Sequence, residues 1–180
     1  MAFQSNSLPS SYKVLNHGDL WVNNFMFKYE EEKPVDVIFV DFQMSFYSSP
    51  GIDINYFICT SPKTAIRLKN RTKILEHYHK SFASTLKQLN YNQRTITFDD
   101  ALKEISTREF YGFTSAIGIL PLLMMNKEAS KNSNIENLAD ENASEKIRQL
   151  IYNEPNYVEA MQALTKYFDD NKVFDRVLAN

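Results

Sequence analysis

The chain has 180 residues, of which 43% are hydrophobic and 23% charged, and a formal net charge of −2. This composition suits one folded domain, and it lacks both the basic footprint of a nucleic-acid-binding protein and a polybasic membrane signal. A single cysteine, Cys59, excludes an internal disulfide framework and a CxxC metal site, and it favours a reducing, cytoplasmic setting. The longest apolar run, 116–125, is too short to span a bilayer and predicts a buried helix.

The first predicted elements form a β-hairpin. A short apolar run, 25–27, is followed by a charged stretch at 30–34 and a second β-rich run at 35–42. Two strands that flank a polar turn are typical of a hairpin. We therefore predict two antiparallel strands joined by a five-residue turn.

The rest of the chain, from residue 54 onward, is predicted to be mostly helical. Ser61-Pro62 resembles a helix start, and Thr97 resembles the cap of the next helix. The polar stretch 126–142 is expected to be an exposed loop, and Pro155 is expected to open a last helix. Apolar residues at helical spacing mark the long helix after Pro62 (Leu68, Leu75, Tyr78, Phe82, Leu86, Leu89) and the last one (Tyr157, Met161, Leu164, Phe168).

Polar side chains cluster around the predicted hairpin. His17-Gly18-Asp19 precedes it, Asn24 lies five residues after Asp19, and Asp41-Phe42-Gln43 follows it. The two outer ends of a hairpin lie side by side, about 5 Å apart. We therefore expect Asn24 and Asp41 to be neighbours, with Asp19 in the loop just before them.

These residue types suit phosphoryl transfer. Mg²⁺ prefers oxygen ligands and commonly takes one or two from protein, so Asp41 could supply a carboxylate and Asn24 an amide oxygen. Asp19 could orient an acceptor hydroxyl and take its proton. Protein kinases place a catalytic aspartate and a metal-binding asparagine at the same spacing.

The neighbouring residues have interpretations of their own. His17, like Asp19, is a catalytic candidate. We expect it mainly to hold the loop by hydrogen bonds, and a role in proton transfer is the alternative. Gly18 is expected to serve backbone geometry. Asp53 is expected either to brace the loop or to cap a helix.

The segments HGDLWVNN (17–24) and VDFQ (40–43), continued by 49–57, closely resemble the ecdysteroid kinase-like family, also called the choline kinase-like or juvenile-hormone-inducible family. The family is similar to aminoglycoside phosphotransferases and choline kinases. The resemblance implies a protein-kinase-like fold and ATP-dependent phosphorylation of a small-molecule hydroxyl, with steroids such as ecdysteroids as candidate acceptors. It also implies roles for individual residues: Asp19 as base, Asn24 and Asp41 as magnesium and cofactor ligands, Asp53 as the structural aspartate, and Phe46, Tyr47, Tyr111 and Phe113 as acceptor-pocket walls.

The sequence departs from the family pattern before the motif. Only 16 residues precede His17, the four glycines form no phosphate-covering loop, and Lys13 is the only lysine there. We therefore expect an α+β, mainly α fold: the C-terminal lobe alone, over 1–180, of a truncated kinase. Within it, 12–57 would carry the catalytic loop, hairpin and metal-binding segment, and 58–180 the helical acceptor side. The exposed interlobe surface would then invite a partner or self-association.

Two alternatives stay open. The chain could be a remnant that binds a small molecule or a partner without catalysis, since the predicted ATP-clamping lobe is missing. It could also be a metal-dependent hydrolase that uses Asp19 and Asp41 to activate water. Neither nucleic acid nor a membrane is expected as a partner.

Overall fold

The computed structural model describes residues 12–93, 95–132 and 140–178. Two short 3-10 helices, Val22–Asn24 and Phe42–Met44, flank the hairpin. The fold is mainly helical, as the sequence predicted, and it contains two small antiparallel sheets. The described strands and helices are, in order, β1 Val14–Asn16, β2 Phe25–Glu30, β3 Lys33–Phe39, β4 Phe46–Ser48, α1 Gly51–Thr60, α2 Thr64–Arg67, α3 Arg71–Gln88, α4 Phe98–Thr107, α5 Glu109–Leu123, α6 Lys127–Asn132, α7 Glu141–Tyr152, α8 Pro155–Asp170 and α9 Val173–Leu178.

The hairpin formed by β2 and β3 is confirmed, but its predicted five-residue turn is wrong. Glu31 and Glu32 alone form the turn, and both have positive φ angles, of 47° and 63°. Two consecutive left-handed residues form the tight turn whose twist matches that of the flanking strands. Lys33 and Pro34 therefore belong to β3, where Pro34 faces Tyr29 beside an irregularity in the strand pairing.

The hairpin exposes much apolar surface. Phe27, Tyr29, Val37, Ile38 and Phe39 are each between 41% and 59% exposed. Phe25, at the base of the hairpin, packs against Phe57 of α1 with ring centroids 5.7 Å apart. The hairpin is therefore anchored at its base, and its apolar side chains remain open to solvent.

A second two-stranded sheet, which the sequence did not predict, encloses the motif region. β1 pairs with β4, so that Asn16 lies opposite Phe46 and Val14 lies opposite Ser48. The chain enters the His17–Asp19 loop from β1 and leaves the Phe42–Met44 turn into β4. This pairing fixes both ends of the segment that carries the motif.

The single long helix predicted after Ser61-Pro62 is wrong. The backbone N–H of Ser61 still bonds to Phe57 O at 2.9 Å, so Ser61 closes α1 instead of capping a new helix. The short α2 follows, and a turn separates it from α3. The predicted set of apolar residues at helical spacing is confirmed in part, because Leu75 of α3 packs into the core with Ile54, Ile58 and Ile105.

The later helix boundaries agree in part with the sequence. The Thr97 cap is confirmed, since its hydroxyl oxygen accepts a hydrogen bond from the backbone of Asp100 at 3.1 Å. Pro155 does open a helix, α8, but α9 follows it, so α8 is not the last. The prediction of a loop over 126–142 is wrong at both ends, because α6 forms in its first part and Asp140 caps α7 in its last part. Its central part, 133–139, lies outside the described residues.

The chain divides into two compact units, one ending at Gly112 and the other beginning at Phe113. The first unit contains the motif region and the core just described. In the second, Leu164 and Phe168 of α8 are buried, and Phe113 packs edge-on against Phe168. In the predicted helix at 116–125, Ala116 and Leu120 are fully buried whereas Leu122 is 53% exposed. That residues 1–180 form one kinase-like lobe remains a prediction.

No helix among the described residues is long and apolar enough to cross a membrane.

Candidate functional site

The loop that carries Asp19 requires a glycine beside it. Gly18 has a φ angle of +86°, which is unfavourable for residues with a side chain. A Cβ atom at this position would lie 2.1 Å from the backbone oxygen of Met44. Both the backbone conformation and the close approach of the Phe42–Met44 turn therefore exclude larger residues, as the sequence predicted.

Asp53 braces this loop. Its carboxylate accepts hydrogen bonds from the backbone N–H groups of His17, at 2.5 Å, and Gly18, at 3.0 Å. Burial raises the pKa of Asp53, and the two hydrogen bonds oppose that rise. Of the two roles predicted for Asp53, the structure supports bracing, because the first turn of α1 holds the loop through this carboxylate.

His17 ties the loop to the end of the hairpin. Its side chain is buried, and its Nε2 atom lies 2.8 Å from the backbone oxygen of Val40. The imidazole also packs on Phe42, with ring centroids 4.7 Å apart. These contacts match the holding role expected for His17, whereas its predicted part in catalysis remains a prediction.

Asp19 and Asn24 are in direct contact. The amide nitrogen of Asn24 donates to the backbone oxygen of Asp19 at 2.8 Å and to the Asp19 Oδ2 atom at 3.0 Å. Asn24 is 7% exposed and ends the 3-10 helix Val22–Asn24, which folds the chain back toward Asp19. An amide binds a cation through its oxygen, and the two hydrogen bonds to Asp19 use only the amide nitrogen of Asn24.

Asp41 lies at the base of the hairpin, directly after the residue whose backbone bonds to Asn24. The backbone N–H of Val40 bonds to Asn24 O at 3.0 Å, and Phe25 pairs with Phe39. Asp41 is exposed, adopts a left-handed φ angle of 67°, and does not cap the 3-10 helix that follows. Its carboxylate is exposed and makes no cap hydrogen bond, and it therefore remains available to a ligand.

The donor set determines which metal would fit here. Across the described ranges, no group of three or more His, Cys, Asp or Glu side chains is placed to hold a metal ion. A pair of one carboxylate and one amide oxygen is instead what Mg²⁺ takes when phosphate oxygens and water complete its shell. Asn24 and Asp41 fit that requirement by residue type and by the position of their backbones.

Tyr56 contacts Asp19 directly, and the sequence analysis did not assign it a role. Its hydroxyl donates to Asp19 Oδ1 at 2.6 Å. Burial and the hydrogen bond to Asp19 raise the pKa of Tyr56 above its ordinary value. Tyr56 follows Asp53 by three residues on α1, a spacing that places both side chains on one helix face. This spacing could have indicated that Tyr56 faces the loop, but only if Asp53 was already known to face it.

The four predicted wall residues lie on two elements, β4 and α5. Tyr111 lies beside Tyr56, with ring centroids 6.2 Å apart. Phe46 and Tyr47 are in β4, where Tyr47 is 70% exposed and lines a cavity of about 320 Å³ whose lining does not include Asp19. Phe113 belongs to the second unit. Tyr111 is thus connected, through Tyr56, to Asp19.

One comparison with known proteins gives a match. The model of the ecdysteroid kinase-like family matches residues 2–91, half of the chain, a range that includes the Asp19 loop, the hairpin, Asp53 and Tyr56. Neither the curated proteins nor the solved structures contain a match. The family match covers the residues that contact one another around Asp19, and the chain belongs to the ecdysteroid kinase-like family.

Proposed function

We propose that this chain carries the catalytic carboxylate and the metal ligands of an ATP-dependent small-molecule kinase that phosphorylates an alcohol hydroxyl. Ecdysteroids are the first acceptors to test. The observation that supports this most directly is the side-chain contact between Asp19 and Asn24 at the base of the hairpin, next to Asp41. Family membership supports the same reaction class.

Asp19 would serve as the base. Its carboxylate is held by two hydrogen bonds, and the residue is partly exposed. In the proposed reaction the acceptor oxygen bonds to the γ-phosphorus of ATP, the bond from that phosphorus to the β,γ-bridging oxygen breaks, ADP leaves, and the hydroxyl proton passes to Asp19.

Asn24 and Asp41 would hold the magnesium ion. The bound Mg²⁺ would supply positive charge that neutralises the phosphate oxygens. Asn24 would offer its amide oxygen, which the hydrogen bonds to Asp19 do not use, and Asp41 would offer an exposed carboxylate. This arrangement couples the base to the metal through a single asparagine.

Product formation tests the proposal. The chain, and a fusion that adds the amino-terminal lobe of a family member, are incubated with Mg·ATP and a panel of alcohols that includes 20-hydroxyecdysone. A phosphate ester is sought by mass spectrometry. Asp19→Asn should abolish the ester while the fold is retained, and Asp99→Asn, at an exposed helix start, should not. No ester from either protein with any acceptor, or full activity of Asp19→Asn, would refute the proposal.

A second candidate is a binding protein without catalysis. The exposed apolar hairpin favours it, since such a surface is typical of a site that contacts a ligand or a partner. Calorimetric titration with Mg·ATP separates the two candidates. Binding that is lost in Asp41→Asn supports the kinase, and no nucleotide binding together with binding of an apolar alcohol supports the second candidate.

A further inference from the structure

Tyr56 is the buried phenol nearest the proposed base. Its side chain is 7% exposed, and its hydroxyl donates to Asp19 Oδ1 at 2.6 Å. A phenol that donates to an ionised carboxylate forms one of the stronger hydrogen bonds in proteins. The position of Asp19 therefore depends on Tyr56 as well as on its own loop.

The carboxylate of Asp19 is held at both oxygens. Tyr56 donates to Oδ1, and Asn24 donates to Oδ2 at 3.0 Å. With one donor on each oxygen, rotation of the carboxylate would break at least one hydrogen bond. The direction in which its remaining lone pairs point is therefore fixed before an acceptor arrives.

One face of α1 holds both the backbone and the side chain of the loop. Asp53 binds the N–H groups of His17 and Gly18, and Tyr56, one turn later, binds the carboxylate of Asp19. Because a helix is rigid over one turn, these two attachments keep the base in register with its own backbone.

Tyr56 acts as a donor and not as a proton acceptor. Burial and the adjacent Asp19 raise the pKa of Tyr56, so the phenol stays protonated at physiological pH. Tyr56 is therefore not the group that takes the proton of the acceptor hydroxyl.

We propose that Tyr56 is a positioning residue that orients the Asp19 carboxylate toward the acceptor hydroxyl. The inference rests on the proposed kinase function. Correct placement of reacting groups accounts for much of catalysis, so we expect Tyr56→Phe to lower kcat on the order of 100-fold, with little change in the KM for Mg·ATP. Tyr56→Phe removes only the hydroxyl and keeps the packing of the ring.

The kinetic test uses the full chain, or its lobe fusion, and a matched control. Tyr78→Phe also removes a partly buried phenol, and Tyr78 makes a ring contact with Phe82 but no hydrogen bond among the described residues. Tyr78→Phe should leave kcat unchanged. A kcat for Tyr56→Phe equal to that of Tyr78→Phe would overturn the proposal, as would a loss confined to KM.

A second measurement does not need activity. Proton NMR should show a downfield hydroxyl resonance that is lost in Tyr56→Phe, retained in Tyr78→Phe and shifted in Asp19→Asn. A Tyr56 hydroxyl signal that is unchanged in Asp19→Asn would refute the contact. If the wild-type proteins form no phosphate ester, the proposed function fails, and the resonance still decides separately whether Tyr56 holds Asp19.

Discussion

Asp53→Ala should destabilise the fold and loosen the loop that carries Asp19. The substitution removes the carboxylate that accepts hydrogen bonds from the backbone of His17 and Gly18. Both N–H groups lie in a partly buried loop, and alanine offers them no replacement acceptor. The loop would then be held by the contact between His17 and Val40 and by the hydrogen bonds of Tyr56 and Asn24 to Asp19.

The expected cost follows from the number of donors left without a partner. Each buried donor without an acceptor costs about 1–3 kcal/mol, so two give about 2–6 kcal/mol. Removal of a partly buried carboxylate offsets part of this loss of stability, because burial penalises the charged form of Asp53, as its raised pKa indicates. We therefore expect a loss in the lower half of that range, about 2–4 kcal/mol in the free energy of unfolding.

Urea denaturation of the purified chain measures this loss from the shift in midpoint at constant m-value. Asp99→Ala is the matched control, since Asp99 lies in the first turn of α4, is exposed, and supports no loop. If Asp53→Ala is no less stable than Asp99→Ala, the bracing role of Asp53 is wrong.

Three further predictions address pH, the core and the hairpin. Because the pKa of Asp53 is raised in the folded state, the free energy of unfolding should fall as the pH rises from the ordinary aspartate pKa of about 3.9 through the folded pKa. A pH series of urea titrations measures this fall, and Asp53→Asn should abolish the part that Asp53 causes. Glu104→Ala removes the carboxylate bonded to the buried Arg108 and should lower the free energy of unfolding by about 3–5 kcal/mol. The control Glu145→Ala, at an exposed ion pair, should lower it by less than about 1 kcal/mol, and urea or thermal unfolding measures both. The exposed hairpin should cause concentration-dependent self-association that Phe27→Lys reduces, and equal sedimentation coefficients for wild type and variant at all concentrations would contradict this.

Local sequence signals predicted the parts of the site that depend on neighbouring residues. The hairpin followed from two apolar runs around a charged stretch, and the hairpin itself brings the chain at Asn24 beside Val40, the residue before Asp41. The Thr97 cap is equally local, since the acceptor and donor are three residues apart. In each case a short stretch of chain contains both partners of the interaction.

Features that depend on distant segments were missed or misjudged. The pairing of β1 with β4 joins residues about thirty positions apart and leaves no local pattern. The contact between Tyr56 and Asp19 spans 37 residues. The tight turn at Glu31-Glu32 was missed for another reason: glutamate rarely adopts the left-handed conformation, so only the strand pairing on both sides accounts for it.

The packing of α1 on α4 connects the stability of the fold to the position of Asp19. The hydroxyl of Ser49, just before α1, donates to the buried carboxylate of Glu104 at 2.7 Å. Asn55 donates to the backbone oxygen of Ile105 at 2.8 Å, and a Cβ atom at Gly51 would lie 2.5 Å from the backbone oxygen of Glu104. These contacts leave α1 little freedom to shift on α4. Since Asp53 and Tyr56 both project from α1, a substitution such as Glu104→Ala should disturb Asp19 as well as the core, and the Tyr56 hydroxyl resonance in that variant would report the disturbance directly.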